Sequence, residues 1–473
     1  MTNIKKNFFY QSFYEIFIIV MPLITSPYIS RVLGAEAIGI YSYTYSMAYY
    51  FVLFAMLGIN NYGNRLISTV RDDKPSLNKE FSSLLCAHLT IAISVLIVYL
   101  IYCFFIVDVD ERIYAFIQSL FVISAVFDIN WFFFGLEEFK LSVTRNTIVK
   151  VLSFISIFLF VKQKNDLYIY CLIMAIGILL SQISVWPFLK KRITFVRFEK
   201  KDYYKHFKPL SILFIPVLAV SVYKIMDKVM LGYISSRISL GYYENAEKII
   251  SVFVTAIASF GTVMMPRMNN LFSKGDSEMG NYYLEKSMKW ILIVTYAVTF
   301  GIIAVSPEFV VFFWGKEFVE CSPILSTLAI SLPFVAFASV IRMQYLIPKH
   351  MDKEYIVSVI GGAIINFAIN VALIPRYSGI GAAIGTICAE AFVCIYQMWC
   401  VRKDIKVFNS VYNSLPFLLL GTLMLLSVRL IAYNIKSQLL IKLFLEIVAG
   451  SGIYLSITVF LLRKDIKSYF VNK

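Results

Sequence analysis

The sequence predicts an all-α polytopic membrane protein with about fourteen transmembrane helices, arranged as two six-helix lobes followed by two C-terminal helices. Hydrophobic residues make up 59% of the 473 positions, and charged residues only 15%, against about 25% in an ordinary soluble protein. The apolar residues form repeated runs of about 20 residues or more, the length that a helix needs to cross a bilayer. Such continuous runs exclude a transmembrane β-barrel, whose strands are short and alternate in hydrophobicity.

The individual spans and the domains follow from these runs, with boundaries good to a few residues. The predicted spans are 8–30, 37–60, 81–106, 112–136, 143–161, 167–190, 209–232, 243–266, 287–313, 321–347, 354–375, 378–401, 410–433 and 438–462. The predicted domains are an N-terminal lobe over 1–190, a basic cytoplasmic linker over 191–208, a C-terminal lobe over 209–401, and two extra helices with a cytoplasmic tail over 402–473.

The basic net charge of +15 has a topological explanation. The two terminal segments and the loops after even-numbered spans hold about three times as many Lys and Arg residues as the opposite loops. Excess Lys and Arg marks the cytoplasmic side of a membrane protein, so both termini are predicted to be cytoplasmic. No nucleic-acid partner is needed to explain the charge. The basic linker is expected to contact anionic membrane lipids.

Cysteine and histidine usage argues against a disulfide framework or a metal site. The seven cysteines lie in or beside apolar runs without a C-x-x-C pair, and the three histidines are far apart in sequence. No P-loop, H-E-x-x-H or G-x-S-x-G motif is present, so the sequence predicts neither an enzyme nor a bound cofactor. Transport without a nucleotide site would use an ion gradient or the gradient of the substrate.

Residues 209–250 carry charges where a bilayer should allow few. The stretch reads as two spanning helices, with Lys224, Asp227 and Lys228 on the first and Glu244, Glu247 and Lys248 on the second. Each charge at the centre of a spanning helix costs about 2.5–3.5 kcal/mol on insertion scales. These groups pair with one another as a structural network, face a polar cavity that binds an anion and couples to a cation, or lie near a membrane interface. The network and the cavity are compatible.

An internal repeat supports a division into two related halves. A basic residue, Leu-Gly, a variable turn and Gly-x-Tyr occur twice, about 200 residues apart. The matching positions are Leu33, Gly34, Gly39 and Tyr41 in the first copy and Leu231, Gly232, Gly241 and Tyr243 in the second. Internal repeats are typical of transporters, whose binding sites lie where the repeats meet.

Polar residues on two later spans are candidates for a cation site. Asn366 and Asn370 are four residues apart on one span, and Thr386 and Glu390 are four residues apart on the next. Together with Asp227, their oxygens could bind Na⁺ or relay H⁺. Hydrogen bonding between helices is the alternative explanation for such residues.

A stripe of tyrosines follows one face of the second span. Tyr41, Tyr45 and Tyr49 recur every four residues. Their rings are suited to stacking on sugars, although tyrosines also collect at membrane interfaces. Arg31, at the end of the first span, is either an interfacial anchor or a cavity cation.

Four segments of this sequence resemble one family. PYISRVLGAEAIGIYSYTYS, DINWFFFGLEEFK, MDKVMLGYISS and GYYENAEKI are similar to segments of the Wzx-type O-antigen and capsule repeat-unit flippases. These proteins form the polysaccharide-transporter branch of the multidrug/oligosaccharidyl-lipid/polysaccharide exporter (MOP) superfamily. The resemblance extends from the first span through the twelfth.

The resemblance implies a function and a set of site residues. An undecaprenyl-diphosphate-linked oligosaccharide would move from the cytoplasmic to the outer leaflet of the bacterial inner membrane by alternating access. Arg31, Lys224, Lys228 and Lys248 become candidate substrate-binding cations, and Asp227, Asn366, Asn370, Thr386 and Glu390 become candidate ligands of a coupling Na⁺ or H⁺. Asn370 stands where a carboxylate would bind a cation better. Other glycan-assembly membrane proteins, such as a polymerase, are candidate partners.

Two other functions compete with this one. A MATE-like multidrug or organic-cation exporter of the same superfamily would need an acidic cavity, whereas the candidate set is basic. An integral-membrane glycan polymerase or acyltransferase would need a long loop outside the membrane or a His/Asp pair, and the sequence has neither.

Overall fold

The computed structural model describes the backbone of residues 2–435 and 437–471, and the side chains of these residues except 2–20, 139–143, 216, 219, 222–223 and 464–471. By packing, the chain divides into two compact units, Met1–Gly232 and Tyr233–Lys473. The predicted lobes, linker and C-terminal pair stay predictions.

The described chain is helical and contains no strand. The helices that begin in the first unit are α1 (Thr2–Met56), α2 (Ile59–Val70), α3 (Lys74–Phe105), α4 (Arg112–Val126), α5 (Asn130–Gly135), α6 (Phe139–Phe160), α7 (Leu167–Ile183), α8 (Trp186–Leu189), α9 (Lys200–Tyr204) and α10 (Phe207–Ile234). Those of the second unit are α11 (Arg237–Ser273), α12 (Ser277–Phe313), α13 (Cys321–Ala329), α14 (Leu332–Ile341), α15 (Asp352–Val401), α16 (Val407–Asn434) and α17 (Leu439–Val471).

Nine helical segments of the described chain are long and apolar enough to cross a membrane. Each of the fourteen predicted spans falls on one helix or on consecutive helices. The predicted fold class, an all-α polytopic membrane protein, is confirmed, and the count of fourteen is consistent with these helices.

Two of the long helices are broken and supply two spans each. Helix α15 has 50 residues, about 75 Å at 1.5 Å per residue, which is more than twice the thickness of the hydrocarbon core. Ser378 interrupts it with φ 48° and ψ −125°. Its hydroxyl accepts a hydrogen bond from Ser235, and the next amide donates to the Ser239 hydroxyl, so polar groups freed by the break are satisfied.

The corresponding break in α1 falls in the repeated Leu-Gly motif. Gly34 adopts φ 82° and ψ 172°, a conformation that favours glycine. The second copy is built differently, because α10 continues through Gly232 to Ile234 before α11 begins. There the Ser236 side chain caps α11 by accepting a hydrogen bond from the amide of Ser239.

The basic linker packs on the N-terminal half of α3. The amide of Thr194 donates to Asn78, and the amide of Val196 donates to Ser82. Lys205 pairs with Glu80 at 2.6 Å, close to the first turn of α10. These contacts fasten the linker to the first unit, in addition to any role at the lipid surface.

His206 is buried among these contacts, and its surroundings predict that the stability of the fold depends on pH. Its ring bonds the Tyr62 hydroxyl at 3.0 Å and the Ser83 hydroxyl at 2.9 Å. Burial lowers the pKa of His206 to about 4, from 6.5, with Glu80 opposing the shift and Lys205 adding to it. Because the folded protein holds this imidazole neutral, its stabilising effect is complete above pH 6.5 and is lost as the pH falls towards 4.

We expect His206→Gln to flatten the fall in thermal stability across this pH range, as measured by thermal unfolding of the purified protein in detergent. The matched control is His350→Asn, because His350 is exposed and asparagine tolerates its positive φ of 55°. That variant should keep the wild-type profile. A wild-type profile in His206→Gln would contradict the assignment.

Candidate functional site

A cavity of about 420 Å³ lies inside the helices of the first unit. Its walls come from α1, α6 and α7, and they combine apolar residues with polar ones. The polar and charged residues of the wall are Thr25, Tyr45, Asn146, Lys150, Ser153, Ser181 and Gln182. Its volume is in the range of small-molecule binding sites.

A second cavity of about 490 Å³ lies beside the first. Tyr45, Ile178 and Gln182 line both cavities, and Tyr49, Asn60 and other residues line the second alone. The two cavities therefore share a wall. Both are lined by the aromatic ring of Tyr45 and the amide of Gln182. The two cavities together are called here the N-unit cavity.

The tyrosine stripe is divided between this cavity and the core. Tyr45 lines both cavities and stacks on Phe121, with ring centroids 5.0 Å apart and planes 8° apart. Tyr49 lines the second cavity. Tyr41 is 9% exposed, packs edge to face on Tyr170 and does not line either cavity. The geometry therefore suits Tyr45 and Tyr49 to sugar stacking better than Tyr41.

A hydrogen-bonded network holds the polar end of the N-unit cavity. The Asp128 carboxylate accepts from the backbone and side chain of Asn130, at 2.9 and 2.8 Å, and from Gln182 at 3.2 Å. Asn130 donates to Gln182 at 2.7 Å. Arg145 donates to Asn130 at 3.0 Å and to Asn146 at 2.9 Å. These bonds connect the α4–α5 turn to α6 and α7.

The DINWFFFG segment places this network. Trp131, Phe132 and Phe133 are fully buried, so α5 is anchored in the core. Gly63 of α2 lies against Trp131, and a Cβ at this glycine would stand 2.6 Å from the indole ring. This packing holds Asp128 and Asn130 at the cavity.

Sequence reasoning recognised the tyrosines but missed most of the cavity's polar wall. Lys150 was visible as a basic residue within a predicted span, and Asp128 and Asn130 stand in the DINWFFFG segment. Gln182 and Asn146 gave no comparable signal, because single amides in apolar helices commonly serve helix packing.

The predicted cations of the first unit have different surroundings. Arg31 and Lys224 are exposed, and Lys228 is half-buried. Asp227, between the two lysines, is 6% exposed and lies within electrostatic reach of Tyr50 on α1. None of the four lines the N-unit cavity, and their role in substrate binding or coupling stays a prediction.

Lys248, the predicted cation of the second unit, pairs with a carboxylate of its own helix. Its amine lies 3.4 Å from Glu244, one turn earlier on α11. Part of the charge in the 209–250 stretch is therefore paired locally, as the structural alternative requires.

The structure brings two of the predicted coupling residues of the second unit, Asn366 and Asn370, into contact. Asn370 donates to Asn366 at 3.2 Å, and both are buried. Gly385 lies so close that a Cβ would stand 2.1 Å from the Asn370 amide oxygen, which places the second segment of α15 against the first. Thr386 follows Gly385 and hydrogen-bonds Tyr243 at 3.2 Å.

Glu390 lies one turn beyond Thr386, while Asp227 belongs to the first unit. In the described part of the chain, no group of three or more His, Cys, Asp or Glu side chains could hold a metal ion. A cation held by Asn366, Asn370 and Thr386 would be bound by amide and hydroxyl oxygens.

Comparison with known proteins identifies the family. The polysaccharide biosynthesis protein family matches residues 4–272, more than half of the chain. A proposed O-antigen transporter of Shigella dysenteriae is 24% identical over 392 residues, which cover 80% of this chain and 96% of that protein. A proposed O-antigen transporter of Escherichia coli K12 is 22% identical over 416 residues, covering 85% and 97%.

The fold also matches a solved structure. The lipid II flippase MurJ, in an inward closed conformation, superposes with a TM-score of 0.78 at 19% identity, covering 96% of this chain and 99% of that one. At this identity the match concerns the fold. The family match and the two O-antigen transporter relatives confirm the resemblance to Wzx-type flippases of the MOP superfamily that the four sequence segments indicated. The chain belongs to the polysaccharide biosynthesis protein family.

Proposed function

We propose that this protein is a flippase that moves undecaprenyl-diphosphate-linked oligosaccharide repeat units from the cytoplasmic to the outer leaflet of the bacterial inner membrane by alternating access. The repeat units would serve O-antigen, capsule or exopolysaccharide assembly. Both termini would lie in the cytoplasm, in keeping with the distribution of Lys and Arg. The role calls for no catalytic residue.

The N-unit cavity is the observation that carries this proposal. A lipid-linked oligosaccharide has a polar sugar, an anionic diphosphate and an apolar tail. The Tyr45 and Tyr49 rings in the cavity wall would stack on a sugar, and the amides of Gln182 and Asn146 would bond its hydroxyls. Lys150 supplies a cation in the wall of the same cavity for the diphosphate, while the tail stays in the lipid.

The charge of the cavity bears on the main alternative, a MATE-like exporter of organic cations. Such an exporter needs a carboxylate to hold its substrate. Lys150 is the charged residue in the wall of the 420 Å³ cavity. Asp128, in the wall of the second cavity, is held by Asn130 and Gln182. The described wall of the 420 Å³ cavity holds Lys150 and no carboxylate, which supports an anionic substrate there.

Transport would be coupled to an Na⁺ or H⁺ gradient. Asn366, Asn370 and Thr386, with Glu390 one turn beyond Thr386, are the candidate coupling residues of the second unit, and Asp227 is the candidate of the first. The hydrogen bonds of Asn370 with Asn366 and of Thr386 with Tyr243 equally serve helix packing, so cation-dependent transport by Asn370→Ala and Thr386→Ala variants is the relevant measurement.

Deletion of the gene in its glycan-producing host tests the function directly. We expect labelled lipid-linked repeat units to accumulate on the cytoplasmic leaflet, where they stay inaccessible to a reagent added outside. A plasmid copy of the wild-type gene should restore accessibility. Normal translocation with blocked polymerisation would overturn the flippase proposal and favour a polymerase.

A further inference from the structure

A cluster of four charged residues joins three helices of the second unit, outside the candidate sites described above. Glu308 lies five residues before the end of α12, Arg429 five before the end of α16, and Lys442 three after the start of α17. Glu446 lies one turn further along α17. The four residues therefore occupy the same end of three mutually packed helices.

Glu308 forms ion pairs with both cations of this cluster. One carboxylate oxygen accepts from Arg429 at 2.7 Å, and the other lies 2.9 Å from the Lys442 amine. Arg429 also donates to the carbonyl oxygen of Ala304 at 2.9 Å. Two cations thus share one carboxylate and fasten α16 and α17 to α12.

Glu446 has no such partner. Its side chain is fully buried, and neither carboxylate oxygen has a hydrogen-bond partner among the described residues. A buried carboxylate loses its hydration, and without a hydrogen-bond donor nothing compensates for that loss. Such surroundings disfavour the ionised form. The neutral acid is the form that suits these surroundings.

Lys442 lies between the two carboxyl groups. It contacts Glu308 across the helix interface, and it stands four residues before Glu446 on the same face of α17. The charged groups within electrostatic reach of Glu446 are Glu308 on α12, Arg429 on α16 and Lys442 on α17. With Glu446 neutral, Lys442 is committed to Glu308; with Glu446 ionised, the two carboxylates compete for it.

We propose that Glu446 is a proton-binding site, and that its protonation state controls how firmly Lys442 holds α17 to Glu308 on α12. The proton comes from water and is released to water. The neighbouring Arg429 and Lys442 side chains keep 39% and 22% of their surface exposed. Loss of the proton leaves a second carboxylate that draws Lys442 back along its own helix. The proposal does not depend on which substrate the protein carries.

Infrared difference spectroscopy of the purified full-length protein in nanodiscs tests the proton site. Spectra are recorded while the buffer is taken from acidic to alkaline pH. We expect a protonated-carboxyl band that disappears as the pH rises, and its loss at every pH in Glu446→Gln. Glutamine keeps the volume and neutrality of the bound acid, so this variant should purify as the wild type does. Glu320→Gln, at an exposed carboxylate of the same unit, is the matched control and should keep the band.

A second variant tests the sharing of Lys442. In Glu308→Gln, Glu446 is the only carboxylate left in the cluster beside Arg429 and Lys442. The two cations then favour the ionised form of Glu446. The band should then persist only at more acidic pH than in the wild type. If Glu308→Gln does not purify folded, Lys442→Met should give the opposite displacement, towards alkaline pH. A titrating band that survives in Glu446→Gln, or a band that neither partner variant displaces, would overturn the proposal.

Discussion

Replacing Lys150 by methionine is expected to reduce the initial rate of translocation about 10- to 100-fold. Methionine keeps most of the length and apolar character of the side chain but removes the cation from the wall of the N-unit cavity. A hydrogen bond to a charged group contributes about 1.5–3 kcal/mol, and each 1.4 kcal/mol corresponds to about a tenfold change. The measurement is the rate at which labelled lipid-linked units become accessible from outside.

The matched control for this variant is Lys164→Met. Lys164 is an exposed lysine in the turn between α6 and α7, and it is not in the cavity wall. We expect it to transport at the wild-type rate, with both variants present in the membrane at wild-type amounts. Equal rates for Lys150→Met and Lys164→Met would place the diphosphate elsewhere in the protein.

Replacing Gly58 by alanine is expected to destabilise the first unit by about 2–5 kcal/mol. Gly58 connects α1 to α2 with a φ of 72°, and a left-handed conformation costs other residues about 1–2 kcal/mol. The added Cβ would also stand 2.8 Å from the amide nitrogen of Phe214 and 2.9 Å from the carbonyl oxygen of Leu210. Both atoms belong to the backbone of α10, which cannot rotate away from the added methyl group. Such overpacking costs about a further 1–3 kcal/mol.

Gly275→Ala separates the two contributions. Gly275 has a φ of 79°, but nothing lies within 4 Å of the position its Cβ would take. This control should show only the conformational cost, and therefore a much smaller fall in the thermal unfolding temperature than Gly58→Ala. Equal falls in the two variants would mean that α10 does not pack against Gly58 as closely as the structure shows.

The candidate site could be predicted only in part. Charges and aromatic stripes stand out in apolar sequence, so Tyr45, Tyr49 and the charged stretch 209–250 were visible without a structure. The local pairing of Lys248 with Glu244 was visible too, since helical spacing alone brings them together. Gln182 and Asn146 were not, because their place in the cavity depends on how α6 and α7 pack against α1.

The charged cluster of Glu308, Arg429, Lys442 and Glu446 could also be predicted only in part from the sequence. Each of its carboxylates falls within an apolar run, and a search for acidic residues in the predicted spans finds them. The different hydrogen-bonding environments of these two carboxylates cannot be predicted from their positions in the sequence. Glu308 has two cationic partners and Glu446 has no hydrogen bond in the described structure, and that contrast arises from the packing of three helices.

The sequence by itself determined the membrane class, the position of the helices and the predicted orientation. These properties follow from continuous apolar runs and from the distribution of Lys and Arg, which are local features of the chain. The tertiary structure alone decided which polar side chains share a cavity and which tyrosine of the stripe is buried in the core. It also decided which intramembrane charge is paired. These outcomes depend on contacts between residues distant in sequence, such as Asn130 with Gln182 and Glu308 with Lys442, and no periodicity or composition encodes those distances.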